Sequence, residues 1–447
     1  MSTASAEIRV ARIGADGDGI GALPDGTSLY LAGTLPGETV LAQPMARRGE
    51  GWAASVAAVI AASPERIAPA CPHFGVCGGC SLQHWADAPY RAWKAGLLEA
   101  ALRRAGFAPA LSPLVSTPPG ARRRLDMAIR RQGPAIIVGL HAGRTAEVVD
   151  LMACPVLHPT LFALVAPLRA ELRGLALLRR AGSVVANLLE SGPDLLLRGD
   201  GEASTADRTR LTAFAQAHGI CRISWARGDG PTETLCLLRP PVAMLSGVAV
   251  RPPPGAFLQA SAVGEAAIVA AVLAGVGDGL PARARVVELY AGCGTLSFAL
   301  AARARVAAFE GDAGLVGALR AAANAQGPAG RIFVEQRDLA RRPVMATELS
   351  SAAAVVLDPP YGGALEQIAQ VAAARPKRVV YVSCNPATLA RDAAVLHGAG
   401  YTVASAAPID QFLWSARLES VVVFAAEKRP GLRPGPAKGP RAVKPVT

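Results

Sequence analysis

The sequence predicts an α/β protein with a doubly wound parallel sheet at its C-terminal end, preceded by a small β-barrel and a central α+β region. Beyond Gly255, apolar strand segments alternate with helical segments of about ten or more residues, the pattern of a parallel sheet covered by helices on both faces. Residues 6–60 form short alternating segments separated by Asp-Gly and Pro-Gly turns, which favours a small antiparallel barrel. Residues 110–250 mix candidate strands with at least two helices.

The composition is that of a folded chain with several domains. The 447 residues are 51% apolar and 18% charged, which excludes a disordered chain. The longest uncharged apolar run, near residues 266–276, is too short to cross a bilayer, and the N-terminus has neither the basic start nor the apolar core of a secretory signal. We therefore expect a cytoplasmic monomer without a membrane partner.

Shifts in pattern along the chain predict the domain boundaries. We assign residues 1–62 to the β-barrel, 63–255 to a cysteine-rich loop and the central α+β region, 256–427 to the doubly wound domain, and 428–447 to a basic disordered tail. A helix predicted over 90–106 has apolar residues at three- and four-residue spacing. We expect its basic opposite face to be solvated, and its apolar face could pack on the C-terminal domain.

The net charge of +12 favours a polyanionic partner such as nucleic acid. Half of this excess lies in the tail, which contains no acid. The basic residues of the tail are Lys428, Arg429, Arg433, Lys438, Arg441 and Lys444. Charge alone is therefore weak support for RNA binding by the folded part of the chain.

A glycine-containing turn joins the first strand of the doubly wound domain to the following helix. Gly292 and Gly294 lie in the segment ELYAGCGTLS, where the backbone can approach a ligand beside a helix N-terminus. The turn lacks the full GxGxxG pattern of pyrophosphate binding. Glu310 ends the next strand, where a ribose diol would be bound, and acids follow the next two strands at Asp338 and Asp358. S-adenosylmethionine is the obvious candidate ligand, and a dinucleotide site or an ordinary turn is the alternative.

The segment Asp358-Pro-Pro-Tyr361 follows the fourth strand of this domain. Its two prolines fix the backbone and remove N–H donors, so a planar substrate can lie against a rigid surface. Taken alone, DPPY is the pattern of methyltransferases that act on exocyclic amino groups of bases. An ordinary loop is the alternative interpretation.

Cys384 stands between a predicted strand and a predicted helix, in Ser383-Cys384-Asn385-Pro386. We expect the dipoles of the helix terminus to lower the pKa of this thiol, which suits a nucleophile. A small buried apolar residue is the alternative. The other cysteines of this kind, Cys221, Cys236 and Cys293, have no comparable context and are expected in the core.

Three thiols lie within ten residues, at Cys71, Cys77 and Cys80, with glycines between them. This spacing predicts a metal site, and Cys154, which precedes a proline, is the natural candidate for a fourth ligand. Four thiolates bind either zinc or a 4Fe-4S cluster. We favour the cluster, because this spacing is uncommon among structural zinc sites.

From about residue 6 to 427, the chain resembles the RNA 5-methyluridine methyltransferase family. The resemblance is to the branch that has an N-terminal TRAM domain, an OB-like barrel, and a 4Fe-4S cluster, and that modifies large-subunit (23S) ribosomal RNA. RIGADGDGIG and GTLPGE match the TRAM domain, and the four cysteines match the cluster ligands. The other motifs follow in family order: Phe257-x-Gln259, ELYAGCG, Glu310, Asp338, Asp358-Pro-Pro, Ser383-Cys384-Asn385-Pro386, Asp410-x-Phe412 and Glu419.

The resemblance implies a Rossmann-like methyltransferase domain and a covalent mechanism. The Cys384 thiolate would add to C6 of uracil and activate C5, and Glu419 would remove the C5 proton. The implied contacts of S-adenosylmethionine are Gln259, Tyr290, Gly292, Gly294, Thr295, Glu310, Asp338 and Asp358. The target base must be flipped or unpaired, because it is inaccessible in a stacked helix.

The chain departs from the family pattern at five positions. The family usually has Asn where Ser261 and Thr295 stand, and both replacements keep a hydrogen-bonding group. It has Arg, Pro and His where Tyr361, Leu413 and Arg417 stand, and these three border the predicted substrate pocket. An RNA exocyclic-amine methyltransferase, a transfer RNA uridine methyltransferase and a non-catalytic RNA-binding factor therefore remain alternative hypotheses.

Overall fold

The computed structural model describes residues 5–281, 283–325 and 330–427. The tail predicted over 428–447 lies outside these ranges. None of the helices in the described ranges is long and apolar enough to cross a membrane.

The N-terminal part of the chain is a six-stranded sheet. Its strands are β1 (Ala6–Arg9), β2 (Arg12–Ile13), β3 (Gly19–Ala22), β4 (Ser28–Leu31), β5 (Thr39–Arg48) and β6 (Gly51–Ala61). They lie in the order β1-β5-β6-β4-β3-β2, with β4 parallel to β6 and the other neighbours antiparallel. Alternating side chains such as Ile8, Leu29 and Val40 point into one small core.

A helix, a short strand and a second sheet follow. These elements are α1 (Asp87–Arg104), β7 (Val115–Ser116), β8 (Arg124–Gln132), β9 (Ala135–His141), β10 (Val148–Asp150), α2 (Pro159–Phe162), α3 (Val165–Leu172), β11 (Ala181–Leu189), β12 (Gly192–Gly199), α4 (Thr205–Ala217), β13 (Arg222–Arg227), β14 (Glu233–Leu237), β15 (Ala243–Leu245) and β16 (Val248–Val250). The central sheet has the order β10-β9-β8-β11-β12-β13-β14, and β15 and β16 form a separate pair. Helices and a mostly antiparallel sheet share the core of this region.

Strands and helices alternate in the C-terminal part. The elements are α5 (Ala262–Val276), β17 (Arg285–Leu289), α6 (Thr295–Ala301), β18 (Arg305–Glu310), α7 (Ala313–Ala325), β19 (Ile332–Gln336), α8 (Ala346–Leu349), β20 (Ala354–Leu357), α9 (Leu365–Ala374), β21 (Arg378–Ser383), α10 (Pro386–Gly398), β22 (Tyr401–Asp410) and β23 (Glu419–Ala426). The four inner parallel strands, β17, β18, β20 and β21, are mostly apolar and buried, because helices cover both faces of the sheet.

The C-terminal sheet has eight strands in the order β19-β18-β17-β20-β21-β23-β22-β7. The strands from β19 to β21 are parallel, and β23 runs antiparallel to both of its neighbours. The chain order reverses on either side of β17, which creates the crevice where doubly wound sheets bind ligands. The predicted α/β class, with a β-rich N-terminal part and a Rossmann-like C-terminal sheet, is confirmed.

Two elements from earlier in the chain join the C-terminal part: β7 extends its sheet, and α1 packs into its core. Strand β7 pairs in parallel with β22, and the buried Leu98 and Leu102 of α1 join the core that also contains Leu389 and Leu396 of α10. The expectation that the basic face of α1 is solvated is wrong at one position. Lys94 is fully buried, because it pairs with a carboxylate from the distant C-terminal part of the chain.

Candidate active site

The predicted site residues follow successive strands and meet at one edge of the sheet. Tyr290, Glu310, Asp338, Asp358 and Cys384 lie at or just beyond the carboxyl ends of β17, β18, β19, β20 and β21. Strand β23 runs in the opposite direction, so its first residue, Glu419, reaches the same edge. Antiparallel pairing of β21 with β23 therefore brings together the two residues predicted to be catalytic.

A chain of hydrogen bonds between side chains links Glu419 to Asp358. The amide nitrogen of Gln411 donates to Glu419 Oε2 over 2.8 Å and to Gln259 Oε1 over 2.9 Å. The amide nitrogen of Gln259 in turn lies 3.5 Å from Asp358 Oδ2. The two glutamines therefore hold the two carboxyl groups in a fixed relation.

This network is buried and leaves two oxygens free. Gln259, Gln411 and Glu419 are each less than a tenth exposed. Among the described residues, Gln411 Oε1 and Glu419 Oε1 have no hydrogen-bond partner. Because an unpaired buried oxygen is unfavourable, both atoms point to a ligand that completes the site.

Burial raises the pKa of Asp358 and of Glu419 above the ordinary range of a carboxyl group. The negative charge of Asp358 raises the pKa of Glu419 further, whereas the hydrogen bond from Gln411 lowers it. A carboxyl group tuned in this direction can accept a proton near neutral pH.

The expectation of a lowered pKa for Cys384 is wrong. Burial of the thiol, followed by the charges of Glu419 and Asp358, raises its pKa to about 12, and the charge of Arg417 opposes this shift only in part. Desolvation and the two neighbouring carboxylates outweigh the dipoles of the helix terminus. The free protein therefore holds Cys384 as a thiol.

The turn between β21 and α10 fixes the position of Cys384. Asn385 Oδ1 accepts the backbone N–H of Ala387 over 3.0 Å and so caps α10, while its Nδ2 donates to the carbonyl of Tyr361 over 3.0 Å. This second bond ties the Asp358-Pro-Pro-Tyr361 segment to the cysteine turn. Ser420 Oγ also donates to the carbonyl of Ser383 over 3.2 Å.

The glycine turn after β17 leaves open space beside the switch point of the sheet. Gly292 and Gly294 have φ angles of 56° and 101°, and Gly294 has no room for a side chain because a Cβ atom would lie 2.4 Å from Leu319 Cδ1. A Cβ atom at Gly292 would have no neighbour within 4 Å. Glu310 accepts the N–H of Gly292 over 2.9 Å, so this acid shapes the turn. Thr295 is the first residue of α6.

Two further acids lie near this turn. Asp338 accepts the N–H groups of Ala340 and Arg341 over 3.1 Å and 3.3 Å, which fixes its carboxylate at the end of β19. Glu288 is buried and accepts the hydroxyl of Ser297 over 2.5 Å. Burial raises the pKa of Glu288 to about 8, so its side chain is mostly neutral at pH 7.

The four cysteines predicted to bind a metal come from two distant segments. Burial and the neighbouring Cys154, Cys77 and Cys71 raise the pKa of Cys80 to about 11, so the four sulfur atoms are near enough to interact electrostatically. Within the described ranges, however, no group of three or more His, Cys, Asp or Glu side chains is arranged to hold a metal ion. The 4Fe-4S cluster therefore stays a prediction.

The cysteine loop, residues 71–85, contacts the segment before Cys154 on one side and the loop between β22 and β23 on the other. His73 Nε2 accepts the N–H groups of Met152 and Ala153, which immediately precede Cys154. On the other side, the N–H groups of Ser81 and Leu82 donate to the carbonyl of Trp414 over 2.9 Å and 3.0 Å. The cysteine loop thus supports the segment between Asp410 and Glu419.

Sequence reasoning missed three residues of this site. Gln411 occupies the unassigned position of Asp410-x-Phe412, and nothing in its local pattern indicates a bond to Glu419. Tyr90 and Lys94 lie on α1, yet the Tyr90 hydroxyl donates to Asp410 over 2.6 Å and the Lys94 ammonium lies 2.8 Å from the same carboxylate. The Lys94 ammonium also donates to the carbonyl of Arg417. The buried Cys221, Cys236 and Cys293 agree with the expectation that they belong to the core.

Sequence comparisons point to one enzyme class. Residues 330–427 match the family model described as tRNA (Uracil-5-)-methyltransferase. An uncharacterized RNA methyltransferase of Brucella suis is 40% identical over 428 residues, which cover 95% of this chain and 98% of that protein. The 23S rRNA (uracil(1939)-C(5))-methyltransferase of Aeromonas salmonicida is 35% identical over 406 residues, or 89% and 92% of the two chains.

A comparison of structures gives the same fold. The tRNA (uracil-54, C5)-methyltransferase of Pyrococcus abyssi, solved in complex with S-adenosyl-L-homocysteine, superposes with a TM-score of 0.70. The match covers 94% of this chain and 100% of that one, at 20% identity. At this identity, the likeness concerns the arrangement of the elements.

Proposed function

This chain belongs to the RNA uracil-5-methyltransferase family, and we propose that it methylates C5 of a uridine in 23S ribosomal RNA through a covalent bond between Cys384 and C6. Membership of the family makes the protein an enzyme that uses S-adenosylmethionine and acts on RNA. One observation carries the proposed mechanism: Cys384 and Glu419 lie at the same edge of the sheet. Glu419 belongs to a buried network, and its Oε1 atom has no partner among the described residues.

Cys384 acts as the nucleophile in this proposal. C5 of uracil is weakly nucleophilic, and a bond from sulfur to C6 converts C5 into an enolate carbon that can attack a methyl group. Because the free thiol has a raised pKa, its proton must leave when the base arrives. Asp358 acts on the thiol electrostatically and has a raised pKa itself, so we assign it as the acceptor of this proton.

Glu419 acts as the base that completes the reaction. After C5 is methylated, the C5 proton must be removed so that the C6–S bond can break and the double bond of the ring can reform. Gln411 holds Glu419 Oε2, whereas Oε1 has no partner among the described residues and is available for the proton. Without this base, the covalent adduct would accumulate.

The open space over Gly292 fits the methyl donor. We assign Gln259, Tyr290, Gly292, Gly294, Thr295, Glu310, Asp338 and Asp358 as the residues that hold S-adenosylmethionine. Bound there, S-adenosylmethionine supplies an electrophilic methyl group. Glu310 and the turn it fixes keep this side of the crevice open.

We assign the four cysteines of the two distant segments as the ligands of a 4Fe-4S cluster. The four thiolates of a 4Fe-4S cluster each bind a different iron, so they lie further apart than the ligands of one ion. Cys80 interacts electrostatically with Cys71, Cys77 and Cys154, which supports a site that the four cysteines share. Such a cluster would join the cysteine loop to the segment that contains Cys154, and we assign it a structural role.

The choice of 23S ribosomal RNA rests on the relative from Aeromonas salmonicida, whose name specifies that substrate. A transfer RNA substrate is the second candidate, because residues 330–427 match a family whose description names transfer RNA. Both substrates require the same chemistry at C5, so the site geometry does not distinguish them.

Tritium release tests the chemistry and the substrate together. Anaerobically purified protein is incubated with S-adenosylmethionine and either unmodified 23S ribosomal RNA or transfer RNA, each labelled with tritium at C5 of uracil. We expect release to water from the ribosomal RNA, and loss of release to background in Cys384→Ala. RNA containing 5-fluorouridine should trap wild-type protein as a covalent complex.

A matched control removes a buried thiol in the central sheet. Cys236→Ala should release tritium at a rate close to that of the wild type, since Cys236 lies in β14. Normal release by Cys384→Ala would overturn the covalent mechanism. Release from transfer RNA alone would overturn the choice of RNA and leave the mechanism in place.

A further inference from the structure

An exposed aromatic ring in the Asp358-Pro-Pro-Tyr361 segment contacts an arginine. The side chain of Tyr361 is 53% exposed, and the guanidinium carbon of Arg417 lies 4.3 Å from the centroid of its ring. Positions 361 and 417 are two of the departures from the family pattern. The structure places these two replacements in contact with each other.

Both residues are attached to the catalytic edge through their backbone. The carbonyl of Tyr361 accepts a hydrogen bond from Asn385, the residue after Cys384. Arg417 lies two residues before Glu419, and its carbonyl accepts the ammonium of Lys94. The pair therefore bridges the turn that carries the nucleophile and the segment that leads to the base.

The guanidinium of Arg417 has no acidic partner in the part of the chain that the structure describes. Other arginines of the chain are paired with acids, as Arg123 is with Glu265 at 2.6 Å and Arg222 with Asp194 at 2.8 Å. Arg417 is exposed, and the Tyr361 ring that it contacts does not neutralise its charge. A guanidinium in this state can bind a phosphate group.

An exposed aromatic ring and a planar cation are the groups that bind unstacked nucleotides. Bases in single-stranded RNA stack on aromatic side chains and on guanidinium planes, and arginines bind the adjoining phosphates. The protein interior does not require Tyr361, because more than half of its side chain is in solvent. Packing therefore does not explain a large aromatic side chain at this position.

We propose that Tyr361 and Arg417 form a clamp for the nucleotide next to the reacting uridine in single-stranded RNA, with Tyr361 stacking on its base and Arg417 binding its phosphate. This inference rests on the proposed function in one respect, since it places the reacting base at Cys384. The clamp contacts the phosphate and the face of an unstacked base, so it selects RNA in which the neighbouring nucleotide is also unpaired.

Equilibrium binding of a labelled heptauridylate RNA, in the presence of S-adenosylhomocysteine, tests the clamp without turnover. Tyr361→Ala should weaken binding by about 5- to 150-fold, the loss typical of one base-stacking contact. Tyr361→Phe should bind within about twofold of the wild type, because it keeps the ring. Phe333→Ala is a matched control, since Phe333 is 62% exposed on the edge strand β19, and it should leave binding unchanged.

Salt dependence tests the arginine. Arg417→Gln should reduce the slope of log Kd against log salt by about 0.7, the value for one phosphate contact in single-stranded RNA. Arg417→Lys should keep the slope, because it keeps the charge. Thermal unfolding and S-adenosylhomocysteine binding of each variant show whether the fold is intact.

Three results would overturn the clamp: no binding of heptauridylate by the wild type, wild-type affinity in a folded Tyr361→Ala, or an unchanged salt slope in Arg417→Gln. These outcomes are separate from the fate of the proposed function. Tritium release from 23S ribosomal RNA with wild-type affinity in Tyr361→Ala would remove the clamp and keep the function. The expected binding changes without tritium release would keep the clamp and remove the function.

Discussion

The ammonium of Lys94 lies 2.8 Å from the carboxylate of Asp410, and both side chains are fully buried. The two residues are separated by 316 positions in the chain. Asp410 directly precedes Gln411, and Lys94 also binds the carbonyl of Arg417. This ion pair therefore fixes both ends of the segment that leads to Glu419.

Removal of the Lys94 charge should destabilise the fold. Among the described residues, Lys94→Met leaves the buried Asp410 carboxylate with the Tyr90 hydroxyl as its one side-chain partner, and an uncompensated buried charge costs about 3–5 kcal/mol. Urea unfolding measures this loss. Addition of Asp410→Asn should recover part of the loss, because it removes the charge. The control Lys377→Met, at an exposed lysine, should change the free energy of unfolding by less than about 0.5 kcal/mol.

The thiol of Cys384 should be unreactive in the free enzyme. Because its pKa is raised to about 12, the thiolate fraction at pH 8 is on the order of 10⁻⁴. We expect the rate of alkylation by iodoacetamide, followed by mass spectrometry, to keep rising with pH beyond 9. Glu419→Gln removes a charge that raises this pKa, so alkylation at pH 8 should become faster. A titration midpoint near 8.5 in the wild type would contradict the structure.

Glu419→Gln should stop the reaction after methyl transfer. The amide cannot remove the C5 proton, so turnover should fall by about 10²–10⁴-fold while a covalent protein–RNA complex accumulates on denaturing gels. The double variant Glu419→Gln with Cys384→Ala is the control, and it should form no complex. If the Glu419→Gln enzyme turned over at the wild-type rate, another residue would be the base.

Gln411→Leu should move the acid limb of the pH–rate profile to higher pH. The hydrogen bond from Gln411 lowers the pKa of Glu419, so its loss raises that pKa further. The base is active when ionised, and a higher pKa therefore requires a higher pH for the same rate. We expect a displacement on the order of one pH unit in single-turnover measurements. A limb that stays in place would show that Gln411 has no effect on the base.

Glu288 should make the fold less stable as the pH rises from about 4.5 to about 8. Folded Glu288 holds its proton up to about pH 8, whereas the unfolded side chain loses it near 4.5, so unfolding releases a proton in this interval. The contribution of this group is at most about 1.4 kcal/mol per pH unit. The difference in unfolding free energy between wild type and Glu288→Gln should show this slope within that window and none above it.

Loss of one cysteine ligand should release iron and loosen the cysteine loop. Cys71→Ser and Cys154→Ser should each lower the iron content of anaerobically purified protein and make residues 71–85 more susceptible to proteolysis. Cys221→Ser, at a buried cysteine outside the loop, should keep the iron. A soluble, fully active Cys71→Ser protein without iron would rule out the structural role.

Local patterns predicted the sheet because most of its parallel strands are short, mainly apolar runs followed by a helix. They also placed Asp358 and Cys384 at its edge, since a residue that follows a parallel strand must lie there. Glu419 was different: its strand runs antiparallel, and only the resemblance to a known family connected it with Cys384.

The errors share one physical origin. Lys94 has the helical spacing of a solvated residue, and its partner Asp410 cannot be found within any local window. The pKa of Cys384 depends on burial of the thiol and on two carboxylates, Glu419 of β23 and Asp358 just after β20, and a local window around Cys384 shows none of these. Gln411 is a single polar residue in a loop, and no local pattern indicates its buried bonds to Gln259 and Glu419.

The docking of α1 against the C-terminal sheet has a consequence for protein synthesis. Tyr90 and Lys94 leave the ribosome more than 300 residues before Asp410 is made. At about 5–20 residues per second, α1 waits on the order of tens of seconds for its partner. During this time Leu98 and Leu102 lack the C-terminal residues that complete their core, so their apolar side chains stay exposed on the nascent chain. The catalytic domain then folds by packing against α1, a helix that was translated long before it.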